Sequence, residues 1–135
     1  MILGFNRRFE PVLPVVGDGT KIHTMREDKK NRWKPGIKIH MAFGVRTRNY
    51  WCFNDQDVCK SDQKIEVRYK KENGERLVII DGHYFYCRRE NLCIYGFEEM
   101  KQLAKNDGFE SVEDFFKWFN KDATLKIIHW TDFRY

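Results

Sequence analysis

The sequence contains no apolar run approaching the roughly 18 residues that a membrane span requires, and its first segment, Met1 to Phe9, lacks the apolar stretch of a signal peptide. Both absences lead to the expectation of a cytoplasmic protein with no membrane partner. Only four cysteines occur, Cys52, Cys59, Cys87 and Cys93. They are too few and too loosely spaced for a secreted disulfide framework, so reduced thiols are expected. Their C-x6-C and C-x5-C spacings lack the tight knuckle of a structural zinc site, and His23, His40, His83 and His129 show no ligand spacing either. No metal or cofactor is therefore expected. There is no internal repeat, low-complexity tract or composition break, so residues 1–135 read as a single domain, with no obligate protein partner inferred.

Aromatic residues are abundant, at 16% of a chain whose apolar fraction is 41%. Phe, Tyr and Trp must therefore supply much of the core volume. The net charge of +5 is unevenly distributed. Between Asp18 and Arg48 stand nine Lys or Arg residues against three acids, a balance of +6, while the remaining 16 bases and 17 acids come to −1. Concentrated positive charge is the footprint of a polyanion-binding surface, although the same run is also consistent with a solvated loop that keeps the protein soluble.

Periodicity assigns a strand to Met1–Phe5 and helical spacing to Phe9, Val12, Leu13 and Val16, where Pro11 and Pro14 limit any helix. A turn at Gly17–Gly19 follows, then strands at Ile22–Glu27 and Ile37–Phe43 joined by a charged loop. Residues 46–64 show no clear period and read as a long connection with room for a strand. Alternation from Lys64 to Lys70, the Asn73-Gly74 turn and the apolar run Leu77–Ile80 form a hairpin, and Asp81-Gly82 repeats the pattern before His83–Tyr86. Phe97–Lys105 and Val112–Phe119 carry helical stripes; Gly108 ends the first, and Ser111 with Asp114 caps the second. Phe115, Trp118, Phe119 and Trp130 are expected in the core, and Leu125–Trp130 is a closing strand. Strands followed by a late helix pair indicate an α+β class built on a curved sheet or small barrel.

The segment Gly19-Thr20-Lys21-Ile22-His23-Thr24-Met25-Arg26 places an amine, a hydroxyl and a guanidinium within six positions. On a regular strand Thr24 and Arg26 share a face and Lys21 points away, unless Lys21 still belongs to the turn and swings over that face. Three converging donors suit a phosphate, a carboxylate or a polarised carbonyl, but the same residues also make a solvated strand end. Lys29, Lys30, Arg32 and Lys34 extend the positive surface. Trp33, Tyr50, Trp51 and Phe53 offer rings for stacking on unpaired bases.

Gly19-x-Lys21-x-x-Thr24-x-Arg26, the upstream Phe9, Lys34-Pro35-Gly36 before a strand, and Asp107-Gly108-Phe109-x-Ser111-x-x-x-Phe115 together resemble the ASCH domain of the PUA-like superfamily. The resemblance covers the two ends of the chain; residues 46–90 match nothing in it. It implies a PUA-like curved antiparallel β-barrel with helices packed on it, and a cleft that binds RNA or a modified nucleoside. One bacterial subfamily with this motif deacylates N4-acetylcytidine, and its lysine, threonine and acid fall on Lys21, Thr24 and Asp107. The alternative implied activity is therefore a small amidohydrolase, or less directly a ribonuclease. A threonine hydroxyl becomes nucleophilic only beside a base, and a lysine serves as one when burial or a second cation lowers its pKa. Here the acid is an aspartate where the subfamily has glutamate, and an aspartate beside a glycine at a helix end also has ordinary structural uses.

Overall fold

The computed structural model describes residues 1–5 and 21–135. The early helical spacing at Phe9–Val16 and the turn at Gly17–Gly19 lie outside those residues. The described chain folds into two β-sheets and two helices, an α+β arrangement dominated by strands. The smaller sheet contains Ile2–Phe5 (β1), His40–Phe43 (β3) and Trp51–Asn54 (β4), in the order β1-β3-β4. The larger contains His23–Arg26 (β2), Ala123–His129 (β9), Ser61–Lys70 (β5), Glu75–Ile80 (β6), His83–Arg89 (β7) and Leu92–Tyr95 (β8), in the order β2-β9-β5-β6-β7-β8.

Every pairing in the larger sheet is antiparallel, but β1 runs parallel to β3. The outer strands of neither sheet pair with each other among the described residues, so the sheets are open rather than joined in one antiparallel barrel. Connectivity accounts for the parallel pair. The chain leaves β1, passes through β2 in the other sheet and returns, so β3 enters beside β1 in the same direction.

Local sequence explains the long meander. On β5, Gln63, Ile65 and Val67 point inward and alternate with Lys64 and Glu66, as a half-buried strand requires. Asp81 and Gly82 have φ of +49° and +79°, the two positive values that a tight turn matching strand twist demands. The Asp81 carboxylate reinforces that turn by accepting from the Lys64 N–H and from Gln63 Nε2, each at 2.9 Å.

The helix Phe97–Asn106 (α1) buries Met100, Leu103 and Ala104. It begins directly after Gly96, whose φ is +79° and where an added Cβ would lie 2.1 Å from the Phe85 carbonyl oxygen. Its last turn closes with Gly108 N–H donating to the Lys105 carbonyl and Phe109 N–H to the Ala104 carbonyl, both at 2.9 Å, around a left-handed Gly108. Ser111 caps the helix Val112–Trp118 (α2) by accepting from the Asp114 N–H at 3.1 Å. Phe115 is wholly buried and Trp130 is buried, whereas Phe119 is half-buried and Trp118 is 39% exposed; the expectation that Trp118 is a core residue is corrected.

Two cores result. The main one packs Ile65, Val78, Tyr86 and Ile127 of the larger sheet against Leu103 and Phe115 of the helices. The second packs Leu3, Phe5, Met41 and Phe43 of the smaller sheet against Ile128 and Trp130. Because β9 feeds Ile127 to one core and Ile128 to the other, β2 and β9 are covered on both faces. The candidate site lies on this doubly covered edge. Cys59 and Cys87 are buried, Cys52 and Cys93 half-buried, and all four are free thiols. Among the described residues, no helix is long and apolar enough to cross a membrane.

Candidate functional site

Lys21 lies two positions before the first residue of β2, and Asp107 caps the C-terminal end of α1. The Ile22 N–H donates to the Asn106 carbonyl at 2.9 Å, tying the strand entry to the helix end. Only 3% of Lys21 and 5% of Asp107 is exposed. Lys21 Nζ lies 3.2 Å from Asp107 Oδ1 and also donates to the Asp107 backbone carbonyl. The lysine stem crosses Gly108, where an added Cβ would approach Lys21 Cδ to 3.3 Å. Glycine at that position thus serves both the left-handed helix end and the passage of the lysine.

His23 sits two residues after Lys21 and is completely buried. Its Nδ1 is 3.3 Å from the same Asp107 Oδ1, and its Nε2 is 2.6 Å from the Tyr135 hydroxyl. The Nδ1 contact is too poorly aligned for a formed hydrogen bond, so it acts chiefly through charge and dipole. Arg26 approaches from the other core. Its Nη2 donates to the Gly4 carbonyl at 2.6 Å, and its guanidinium stands 5.7 Å from the Phe5 ring centroid, against which Lys21 Nζ lies at 5.9 Å. Phe5 is therefore shared by the two cations.

These contacts set the protonation chemistry. Burial pulls the Lys21 amine down from its ordinary value; Asp107 opposes the shift through charge and hydrogen bonding, and the Arg26 charge adds to it. His23 is lowered by burial in spite of Asp107. Burial pushes Asp107 up, but the Lys21 charge and the contacts with His23 and Lys21 together outweigh it and hold the carboxyl below its ordinary range.

Thr24, 4% exposed, pairs with Ile128 on β9. Alternation puts its side chain on the second-core face with Arg26 and Ile128, while His23 and Met25 face the main core. The structure thus brings Lys21 and Asp107 into contact and places Arg26 close by. Thr24 occupies the opposite face of the strand from His23.

The basic loop has a rigid base. The Asp28 carboxylate accepts from the Arg32 N–H at 2.9 Å and the Trp33 N–H at 2.7 Å, and Lys126 Nζ donates to the Trp33 carbonyl at 2.7 Å. Lys29, Lys30, Arg32 and Lys34 project outward from it and are exposed, as are Lys38, Arg46 and Arg48. Trp33 does not join them. With 5% exposure it is packed into the second core, so the expectation of a stacking ring there is corrected: the backbone bonds to Asp28 and Lys126 turn the indole inward. Tyr50 and Trp51 are 47% and 54% exposed, and Phe53 is half-buried against Phe5 and Phe43.

Sequence reasoning missed His23, Asn106 and Tyr135 as members of the buried cluster. Strand alternation gave a signal for His23, which has the same parity as Lys21. Nothing local marked Tyr135, whose hydroxyl also accepts from Asn106 Nδ2 at 2.9 Å and whose ring packs at 5.5 Å from that of His23. Among the described residues, no group of His, Cys, Asp and Glu is arranged to hold a metal ion. No protein-family model, curated protein or solved structure matches this chain.

Proposed function

We propose that the protein binds single-stranded RNA, or a nucleoside-like small molecule, as an ASCH-like domain whose two sheets elaborate a PUA-like barrel. The observation that carries this reading is the exposed row Lys29, Lys30, Arg32 and Lys34, held outward by the Asp28 and Lys126 anchors, in a segment that continues through Arg46 and Arg48 to the exposed rings of Tyr50 and Trp51. Cations track phosphates and aromatic faces stack on unpaired bases, a combination that fits single strands and tolerates any sequence. Arg26 stands beside the Lys21–Asp107 pair, close enough for its charge to act on the lysine. Titration of a labelled single-stranded oligonucleotide tests the reading. Trp51→Ala and Tyr50→Ala should each weaken binding by about 1–3 kcal/mol where a base stacks on the ring. Wild-type protein that prefers duplex to single strand would contradict it.

A second reading is favoured by one observation, the Lys21–Asp107 contact with its lowered lysine pKa. In a deacylation of an N4-acetylcytidine-like amide, Thr24 would attack the acyl carbon while a neutral Lys21, oriented by Asp107, takes the hydroxyl proton. Lys21 would pass that proton to the exocyclic amine as the C–N bond breaks, and water would then hydrolyse the acyl-threonine to release the acid. Lys21 lies before the strand and its amine reaches Phe5 beside Arg26, on the face that Thr24 shares, but it is already engaged by Asp107, so this reading ranks second. Turnover of N4-acetylcytidine by purified protein, abolished by Lys21→Ala and by Thr24→Val, would raise it to first.

A further inference from the structure

The buried cluster beyond Asp107 has a direction. Gln102 Nε2 donates to Asn106 Oδ1 at 2.6 Å, which fixes the Asn106 amide so that its Nδ2 faces the Tyr135 hydroxyl at 2.9 Å. An amide nitrogen only donates, so the phenolic oxygen accepts there. The one phenolic proton is then left for the other close neighbour, His23 Nε2 at 2.6 Å. A ring nitrogen that accepts carries no proton, and in a neutral imidazole the proton must sit on the other nitrogen. That nitrogen is Nδ1, 3.3 Å from Asp107 Oδ1, the oxygen that also meets Lys21 Nζ at 3.2 Å.

We infer that Asn106 and Tyr135 are positioning residues: through a one-way hydrogen-bond chain they fix His23 as its Nδ1–H tautomer, which turns the positive end of the ring dipole toward the Asp107 carboxylate that meets the Lys21 amine. Complete burial of His23 leaves no solvent to scramble the order, and the Tyr135 backbone is itself held, its N–H donating to Gln63 Oε1 at 2.9 Å and its carbonyl accepting from Gln63 Nε2 at 3.0 Å. The role rests on the Lys21–Asp107 pair being the working end of the site, but the tautomer exists with or without a ligand.

The test is the ring-nitrogen spectrum of the full chain labelled with 15N-histidine, read by long-range proton–nitrogen correlation at neutral pH. In the wild type, His23 should show a protonated Nδ1 and an unprotonated, hydrogen-bonded Nε2. Asn106→Asp replaces the donor by an acceptor of the same shape; the phenol should turn its proton to the new carboxylate and accept from His23, so that Nε2 moves into the protonated range. A protonated Nε2 in the wild type, or an Nε2 that stays unprotonated in folded Asn106→Asp, overturns the inference. Should Asn106→Asp fail to fold, Tyr135→Phe decides: with the phenolic donor gone, Nε2 should leave the hydrogen-bonded range and the ring should lose its single Nδ1–H pattern, whereas an unchanged pair of ring-nitrogen resonances contradicts the chain. Because these spectra need no ligand, a failure to bind RNA or to turn over an acyl nucleoside would overturn the function and leave this result standing.

Discussion

Lys21 Nζ and Asp107 Oδ1 meet at 3.2 Å across 86 positions of sequence, with 4% and 6% of the two side chains exposed. Such a pair is costly to break from one side, because the remaining charge stays buried without its partner. Lys21→Met and Asp107→Asn should each destabilise the fold by about 3–5 kcal/mol in urea unfolding. The double variant should cost less than the sum of the two, by about 0.5–3 kcal/mol of coupling. Additive losses would show that the two groups do not interact.

Acid should unfold the protein from mildly acidic pH downward, through its buried histidines. Burial, followed by the charges of His23 and Arg134, lowers His129 from 6.5 to about 3, and burial lowers His23 in the same direction. Because the folded pKa lies below the unfolded one, the unfolded chain takes up the proton first. The stability is fully present above about pH 6.5 and is lost as pH falls from there toward about 3. Each histidine contributes a slope of up to about 1.4 kcal/mol per pH unit in that window. Urea midpoints measured at pH 7, 6 and 5 should show a steep decline in the wild type and a shallower one in His129→Gln. Equal slopes in the two proteins would mean that His129 does not titrate on unfolding.

Gly96 tests the junction between β8 and α1. Its φ of +79° and the 2.1 Å approach of an added Cβ to the Phe85 carbonyl make Gly96→Ala both strained and obstructed. The strain alone costs about 1–3 kcal/mol, and the clash adds to it. Thermal unfolding of Gly96→Ala should show a loss at least that large. Gly82→Ala, with the same φ but open space around it, should lose less.

The order of strands and helices was largely legible in the sequence, because alternation on β5, the Asn73-Gly74 and Asp81-Gly82 turns and the stripes on α1 and α2 are local signals. A strand within residues 46–64 was allowed for without being located, and Leu92–Tyr95 was missed, because four residues of mixed or uniformly apolar character carry no readable period. The two-sheet arrangement was not legible either, since the parallel partner of β1 depends on a crossover and not on any local pattern. In the site, Lys21, Arg26 and Asp107 stood out by residue type and motif. His23, Asn106 and Tyr135 did not, because hydrogen bonds between distant segments bring them together. Trp33 misled because an indole among lysines reads as a stacking ring, while the side chain that turns it inward, Lys126, lies 93 positions away.

The central claim, that the Asp18–Arg48 segment holds a nucleic-acid backbone, is tested most directly by the salt dependence of RNA affinity. Each phosphate neutralised on a single strand contributes about −0.7 to the slope of log affinity against log salt. Fluorescence titrations of one single-stranded oligonucleotide across a salt series should give a clear negative slope for the wild type. In the variant with Lys29, Lys30, Arg32 and Lys34 all replaced by Gln, the slope should be flatter by up to about 3, with weaker binding across sequences. An unchanged slope in that variant, or no measurable binding by the wild type at low salt, contradicts the account.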